Sequence, residues 1–319
     1  MKKAIRRKKF RVIFLFIISI IFVGIAAATA ILGINYTDNR KFKETFYTVS
    51  NLKVNNKVRI IQISDLHNCT YGDDNSELIH RVQKLKPDVI IYTGDIIDSN
   101  TASDAPVLNL CAELAKVAPS YYIYGNNEIE KYYDGVLTQY YLDEKFGIED
   151  SARNSQSLLD VQDAFAQKLE AVGVRALKNN METITVGSTN VDVYGVLTSN
   201  PAAFWSYAGD SFGQYLYTNE NHLKVTAIHE PTVFEAYSPA YWGDLMLAGH
   251  THGGLMHIPL VGPLYTSEGG LLPQRNGCYV IGQYDIQGSA LIVSAGLENS
   301  NILRLNNQPE LVIIDINKY

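Results

Sequence analysis

The chain has 319 residues, a net charge of −6 and 46% hydrophobic residues, which leaves room for one large α/β domain or two small ones around a sizeable core. The acidic balance, with its one basic cluster at the N-terminus, argues against a general nucleic-acid binder, whose footprint is a basic face. Cys69, Cys111 and Cys278 form no CxxC pair and cannot all pair within one chain, so neither a disulfide framework nor a thiolate metal site is implied; they read as small buried hydrophobes.

In chain order, the basic stretch MKKAIRRKKFR is followed by the uncharged run Val12 to Ile34, long enough to cross a bilayer as a helix. The positive-inside rule keeps the basic flank cytoplasmic and places everything after Asn35 outside, as a single-pass cell-membrane protein. A cleavable signal is the competing reading, because Ala28-Thr29-Ala30 offers a small-residue cleavage site, and cleavage would leave a secreted protein. The length of the run, beyond the usual signal core, favours an uncleaved anchor. Residues 1–35 are thus basic flank and anchor, 36–55 a linker and first edge strand, and 56–319 the globular domain.

Within that domain, VRIIQIS (58–64) and DVIIYTG (88–94) are short continuous apolar runs of the kind buried parallel strands make. Between them, Leu78, Ile79, Val82 and Leu85 recur at helical spacing and stop before Pro87, which completes a βαβ unit. A second helix over about 105–117 leads into the strand SYYIYG (120–125). Residues 131–168 are polar and aromatic, a possible insertion beside the site, with VQDAFAQKLEAVG its best helix. From Ala176 onward the chain reads as mostly strands: METITVG, VDVYGVL, LKVTAIH, DLMLAGH, SALIVSAG and ELVIIDI.

Open α/β sheets bind ligands at the C-terminal ends of their strands. At those ends stand Asp65-Leu66-His67, then Asp95, then Asn126-Asn127, then His229, then His250-Thr251-His252. Each residue pair spaced by two puts both side chains on one face of extended backbone. Seven N and O donors exceed one tetrahedral site but suit two divalent ions sharing a carboxylate, for which Asp95 is the candidate. Two such ions roughly 3.5–4 Å apart can hold a bridging hydroxide and clamp a phosphoryl group, which points to phosphate ester hydrolysis.

These motifs resemble the series of the calcineurin-like metallophosphoesterases: DxH, GDxxD, GNH(D/E), a lone His and GHxH. Here they read Asp65-Leu66-His67, Gly94-Asp95-Ile96-Ile97-Asp98, Gly125-Asn126-Asn127-Glu128, His229 and Gly249-His250-Thr251-His252, followed by Gly253-Gly254. The likeness runs over about 46–319, and the anchor with GHTHGG is similar to the bacterial membrane-associated phosphodiesterases. It implies an α/β fold of two mixed β-sheets packed face to face and flanked by helices, a four-layer sandwich. It also implies two divalent metal ions (Mn²⁺, Fe²⁺/³⁺ or Zn²⁺), with Asp65, His67 and His252 on the first, Asp95 bridging, and Asn126, His229 and His250 on the second. Gly94 and Gly249 read as sites of tight turning beneath the ions. Asp98 either caps the following segment or braces a histidine.

At Asn127 the chain departs from the family, which has histidine there, generally assigned to the substrate phosphate and the leaving group. An amide donates hydrogen bonds but gives up no proton at neutral pH, so Asn127 is expected to orient a phosphoryl oxygen without acid catalysis. Substrates whose leaving groups need little protonation, diesters or pyrophosphates, then suit the site best; another residue, from 131–168 for instance, is the alternative proton source. Three readings stand: a phosphodiesterase or phosphomonoesterase, a pyrophosphatase on nucleotide- or lipid-linked substrates, and a catalytically weak metal-binding envelope protein. His80, His222 and His257 fall outside the series and read as surface or satisfied histidines, Cys69 as a structural thiol, and Tyr121, Tyr122 and Tyr124 as sheet packing. Glu128 either hydrogen-bonds Asn127 or caps the next segment.

Overall fold

The computed structural model describes residues 2–132, 164–197, 201–236, 238, 241–299 and 304–319. Helix α1 (Lys2–Asp38) leads into strands β1 (Lys43–Ser50) and β2 (Val58–Ile63), helix α2 (Ser76–Leu85), β3 (Val89–Thr93), α3 (Ala105–Ala115), β4 (Ser120–Ile123) and α4 (Asn126–Tyr132). There follow α5 (Ala164–Ala171), β5 (Val174–Ala176), β6 (Asn180–Val186), β7 (Thr189–Gly195), α6 (Pro201–Tyr217), β8 (Leu223–Ala227) and β9 (Leu245–Ala248). Two small ribbons come next, β10 (His257–Ile258) with β11 (Gly262–Pro263) and β12 (Tyr265–Thr266) with β13 (Gly270–Leu271), before β14 (Gly282–Ile286), β15 (Ser289–Val293) and β16 (Glu310–Asn317).

Two six-stranded sheets run in the orders β1-β16-β2-β3-β4-β5 and β14-β15-β9-β8-β7-β6. Both are mixed: β2, β3, β4 and β5 are mutually parallel beside an antiparallel β16, and β7, β8, β9 and β15 are parallel between antiparallel β6 and β14. Because side chains alternate along a strand, Ile60 and Ile91 enter one core while Ile61 and Ile90 enter another. The inner core joins Ile60, Ile91 and Ile123 of the first sheet to Val193, Val225 and Leu247 of the second. Outside the first sheet, Ile61, Ile90 and Tyr92 pack on Val82, Leu110 and Phe165 of α2, α3 and α5. Outside the second, Tyr194, Met246 and Leu291 pack on Phe212 and Tyr215 of α6 and on Trp242. The result is the expected four layers, and it explains why these strands read as continuous apolar runs: both faces are buried.

Within 36–55, expected to be linker and first edge strand, α1 runs on to Asp38 and β1 lies parallel to β16 at the rim of the first sheet. Helix α6 departs from the mostly-β reading of the second half; its aromatic and glycine-containing sequence has weak helix propensity, and packing of Phe212 on Trp242 and on Tyr215 decides it. Of the possible insertion 131–168, residues 133–163 lie outside the described residues, and α5 matches its best helical stretch.

The structure does not carry the expected transmembrane crossing: among the described residues no helix is long and apolar enough to cross a membrane. Within α1 the side chains at 2–9, 12, 27, 28, 31 and 34 are outside that description, so the crossing rests on the sequence.

Candidate metal centre

The C-terminal ends of β2, β3, β4, β8 and β9 point the same way in the two facing sheets, and the residues after them meet there. Two groups of donor atoms gather: Asp65, His67 and His252, and Asp95, His229 and His250, the atoms of each lying within 4.8 Å of one another. Asp95 joins them. Its Oδ2 is 3.6 Å from His67 Nε2 in the first group and 3.3 Å from His229 Nε2 in its own. Asn126 Oδ1 completes the second group, 3.1 Å from His229 Nε2 and 3.1 Å from His250 Nδ1.

Each strand must release its chain sharply to place these side chains, and the backbone records it. Five of the seven donors have positive φ: Asp65 (48°), His67 (47°), Asp95 (52°), His250 (70°) and His252 (47°). Such conformations cost roughly 1–3 kcal/mol each outside glycine and gather at functional sites. The sandwich offsets this, since each fully buried valine, leucine or isoleucine contributes roughly 1.5–3 kcal/mol. Close backbone approach is enforced at Gly94, where an added Cβ would lie 2.5 Å from Gly125 N and 2.6 Å from His229 Nδ1. A Cβ at Gly249 would overlap Ser64 and Asp65.

The donors are aimed by partners behind them. His229 Nδ1 donates to Thr93 O at 2.8 Å, which turns Nε2 inward. His250 Nε2 reaches Glu268 Oε1 at 3.3 Å, which turns Nδ1 inward. His252 Nδ1 lies between Glu298 Oε2 and Arg304 Nη2, each at 3.4 Å. The Asp65 carboxylate accepts from Ser64 Oγ at 2.5 Å and from His250 N at 2.9 Å. Such outer partners fix the ring orientation of metal-ligating histidines.

Glu128 shapes the loop after β3. Its fully buried carboxylate accepts from the backbone N–H groups of Asp95, Gly125, Ile96 and Ile97 and from the Tyr122 hydroxyl. The bond to Gly125 N is the reach of an N3 glutamate back to the helix N-cap, so the capping reading of Glu128 holds and the Asn127 pairing does not. Asn127 itself turns toward Asp95: its backbone N–H and Nδ2 donate to Asp95 Oδ1 and Oδ2 at 2.9 and 2.7 Å, and its Oδ1 accepts from Ser99 N at 3.0 Å. Asp98 accepts from Asn100 N at 2.9 Å, a local contact in the turn that follows the Asp95 loop.

Burial works against both charges of the Asp95–His229 pair, yet their mutual attraction wins: the Asp95 carboxyl is held well below the usual range and the His229 imidazole is raised to about 10. For His250, burial is outweighed chiefly by its hydrogen bond to Glu268, and the imidazole is raised. His252 is the opposite case; burial first, with Arg304 and His67 adding to it, lowers its imidazole to about 4. Burial and then the Asp95 charge push the Glu128 carboxyl upward despite its donors.

These residues fit divalent ions on two observations. His67 Nε2 is buried with no hydrogen-bond partner. In the second group, His250 Nδ1, His229 Nε2 and Asn126 Oδ1 all face one another, the two imidazole nitrogens 3.2 Å apart, an arrangement of ligand atoms that a cation satisfies in place of the His229 proton and that hydrogen bonds satisfy only partly. Of the other residues, His222 bonds Asp192 and Asn190, His257 bonds Gly253 O, His80 is exposed, Cys69 is buried with Asn299 N at 3.4 Å from its sulfur, and Tyr92 stacks on Tyr122 within the sheet core, as the sequence placed them, whereas Cys278, read as buried, is only half-buried in its loop. Sequence reasoning missed Glu268, Glu298 and Arg304 as partners of the histidines. They lie in loops with no periodicity, and only the folded chain brings them there.

Comparison with known proteins gives the same outline. Residues 58–254 match the family model described as calcineurin-like phosphoesterase. The chain is 25% identical to the uncharacterized metallophosphoesterase YkuE of Bacillus subtilis, over 81% of this chain and 78% of that protein. It is 23% identical to phosphodiesterase YaeI of Escherichia coli, over 81% of this chain and 82% of the relative. Among solved structures, a phosphopantetheinyl hydrolase from Mycobacterium tuberculosis overlays 76% of this chain and 92% of its own at 11% identity, with a TM-score of 0.41.

Proposed function

The chain belongs to the calcineurin-like phosphoesterase family and is a hydrolase acting on phosphoric esters, and from that premise we propose that it cleaves phosphodiesters at a site for two divalent metal ions, on the outer side of a membrane that α1 crosses. The observation that carries the chemistry is Asp95: one carboxylate oxygen within 3.6 Å of a histidine from each donor group. Asp65, His67 and His252 would hold one ion, Asn126, His229 and His250 the other, with Asp95 between them. Bound there, divalent ions supply Lewis acidity toward a phosphoryl oxygen and a water of lowered pKa.

The protein's own part is orientation. Thr93 O and Glu268 accept from the outward nitrogens of His229 and His250, so the inward nitrogens face the ion position and are free to ligate once the inward proton of His229 is shed. Asn127 carries no titratable proton, and its amide is held by Asp95. Position 127 thus lacks the imidazole that would protonate a poor leaving group, which favours diesters with stable leaving groups; the relative YaeI is named a phosphodiesterase. The same deficit is compatible with pyrophosphates.

Support for the anchor is the character of α1. Ile13, Phe14, Leu15, Phe16 and Ile17 are five consecutive exposed residues, more than a full turn, so the helix presents apolar side chains on every side. A helix apolar all round belongs in a bilayer or a core.

The test is a panel of phosphodiester, monoester and pyrophosphate substrates assayed with added Mn²⁺ on the full chain and on Asp95→Asn. Metal-dependent diester turnover that falls by about 10³-fold or more in Asp95→Asn is expected, the several kcal/mol of charge stabilisation at stake. Turnover absent for every substrate, with metal still bound, would leave a binding protein.

A further inference from the structure

Resting on the anchored reading of α1, we infer that the segment 255–281 is a membrane-docking surface that lies on the lipid headgroups beside α1 and holds the metal centre at the bilayer. The partner is a lipid bilayer. Three sets of contacts lead there.

The segment starts three residues after the metal-site residue His252 and projects apolar side chains outward. Leu260 is fully exposed, and Leu271, Tyr265, Ile258 and Val261 are exposed with it. The run Ile258-Pro259-Leu260-Val261 joins β10 to β11, a tip with no charged residue. In water such a patch is a liability; at an interface, leucine and isoleucine enter the acyl boundary while tyrosine settles at headgroup depth.

The segment is fastened to the end of α1. Asn306 N donates to Asn35 Oδ1 at 2.7 Å, while Asn306 Nδ2 donates to His257 O at 3.2 Å in β10. One asparagine therefore ties the point where α1 leaves its apolar run to the first strand of the ribbon. Asn39 Nδ2 adds a second tie, to Arg304 O at 2.8 Å. The ribbon that carries the exposed apolar tip is thus held to the end of the apolar helix through Asn306. Charge agrees: Arg40, Lys41 and Lys43 follow at once, and Arg40 lies over the Tyr36 ring at 4.5 Å, an aromatic and basic collar suited to anionic headgroups.

The segment also reaches the metal centre. Glu268, in the turn between β12 and β13, holds His250 Nε2, and Arg304, tied through its carbonyl to Asn39 just past α1, touches His252 through its guanidinium. A substrate group presented from the bilayer would arrive where these contacts converge, so the chemistry that fits is a phosphoester carried on a lipid.

The experiment places one nitroxide at a time on the full chain in nanodiscs containing anionic phospholipid, on a Cys278→Ser background: Leu260→Cys in the tip, Leu15→Cys in α1, and Tyr217→Cys at the exposed end of α6, at the opposite end of the second sheet from the metal centre. Collision with oxygen reports lipid and collision with a water-soluble nickel chelate reports water. Oxygen access with loss of nickel access at both 260 and 15, against full nickel access at 217, is the expected result. Nickel access at 260 equal to that at 217, with 15 still in lipid, overturns the docking surface and leaves the anchor standing. Nickel access at both 260 and 15 overturns the anchor and the docking surface together.

Discussion

Asn127 commits its backbone N–H and side-chain Nδ2 as donors to Asp95 and its Oδ1 as acceptor from Ser99 N, and so steadies the carboxylate shared by the two donor groups. An imidazole at that position would have a proton to give. Asn127→His is therefore expected to raise turnover on poor alkoxide leaving groups, toward the roughly 10²–10⁴-fold that acid assistance supplies, with aryl esters little changed. A leaving-group series measures it, with metal content followed because the Nδ2 donor to Asp95 is lost; an equal change across the series would count against the idea. His229 sets a second expectation. A metal ligand must shed its proton, and Asp95 raises this imidazole to about 10. At neutral pH metal uptake should release a proton from His229, and apparent affinity should climb with pH up to about 10, one decade per pH unit for this group. Calorimetry in buffers of different ionisation enthalpy reads the proton count; zero release would be the contrary outcome. The sign for folding runs the other way: with the folded value above the ordinary 6.5, the ion pair's contribution is full below about 6.5 and is lost as pH rises through about 10.

Between β3 and α4 the chain is held by one carboxylate. Four backbone N–H groups and a tyrosine hydroxyl converge on Glu128, and removing it would orphan buried donors across two loops that carry Asp95 and Asn126. Glu128→Ala is expected to destabilise by about 3 kcal/mol or more, since hydrogen bonds to a charged group contribute about 1.5–3 kcal/mol each and the orphaned donors add their desolvation. Urea unfolding checks this as a lower midpoint at unchanged slope; a midpoint within error of the parent would show that water or a relaxed loop replaces the carboxylate. The strands themselves were legible from their residues. Runs such as Val58–Ser64 and Leu223–His229 are apolar at most positions because each strand is covered on both faces. Helix α6 was not legible, because aromatic and glycine residues carry little helical signal and burial against Trp242 decides their conformation.

For the molecule as a whole, the two sheets face each other with their parallel strands ending on one side, and that common end is what makes a site. The anchor is an expectation at this scale: α1 should keep the full chain in the membrane fraction through an alkaline carbonate wash, and protease added from outside should digest the domain. Release by carbonate would remove the anchor. Order along the chain already named Asp65, His67, Asp95, Asn126, His229, His250 and His252, because a donor placed just after an apolar strand is a local pattern that survives in one dimension. What tertiary structure alone decided is how these side chains are aimed: Asn127 turned onto Asp95, Glu128 clasping the loop, and Glu268, Glu298 and Arg304 braced against histidines from distant loops. The reason is physical. Strand and ligand patterns are written in near neighbours, whereas hydrogen-bond partners across 18 to 52 positions exist only once two packed sheets have brought their loops to one end.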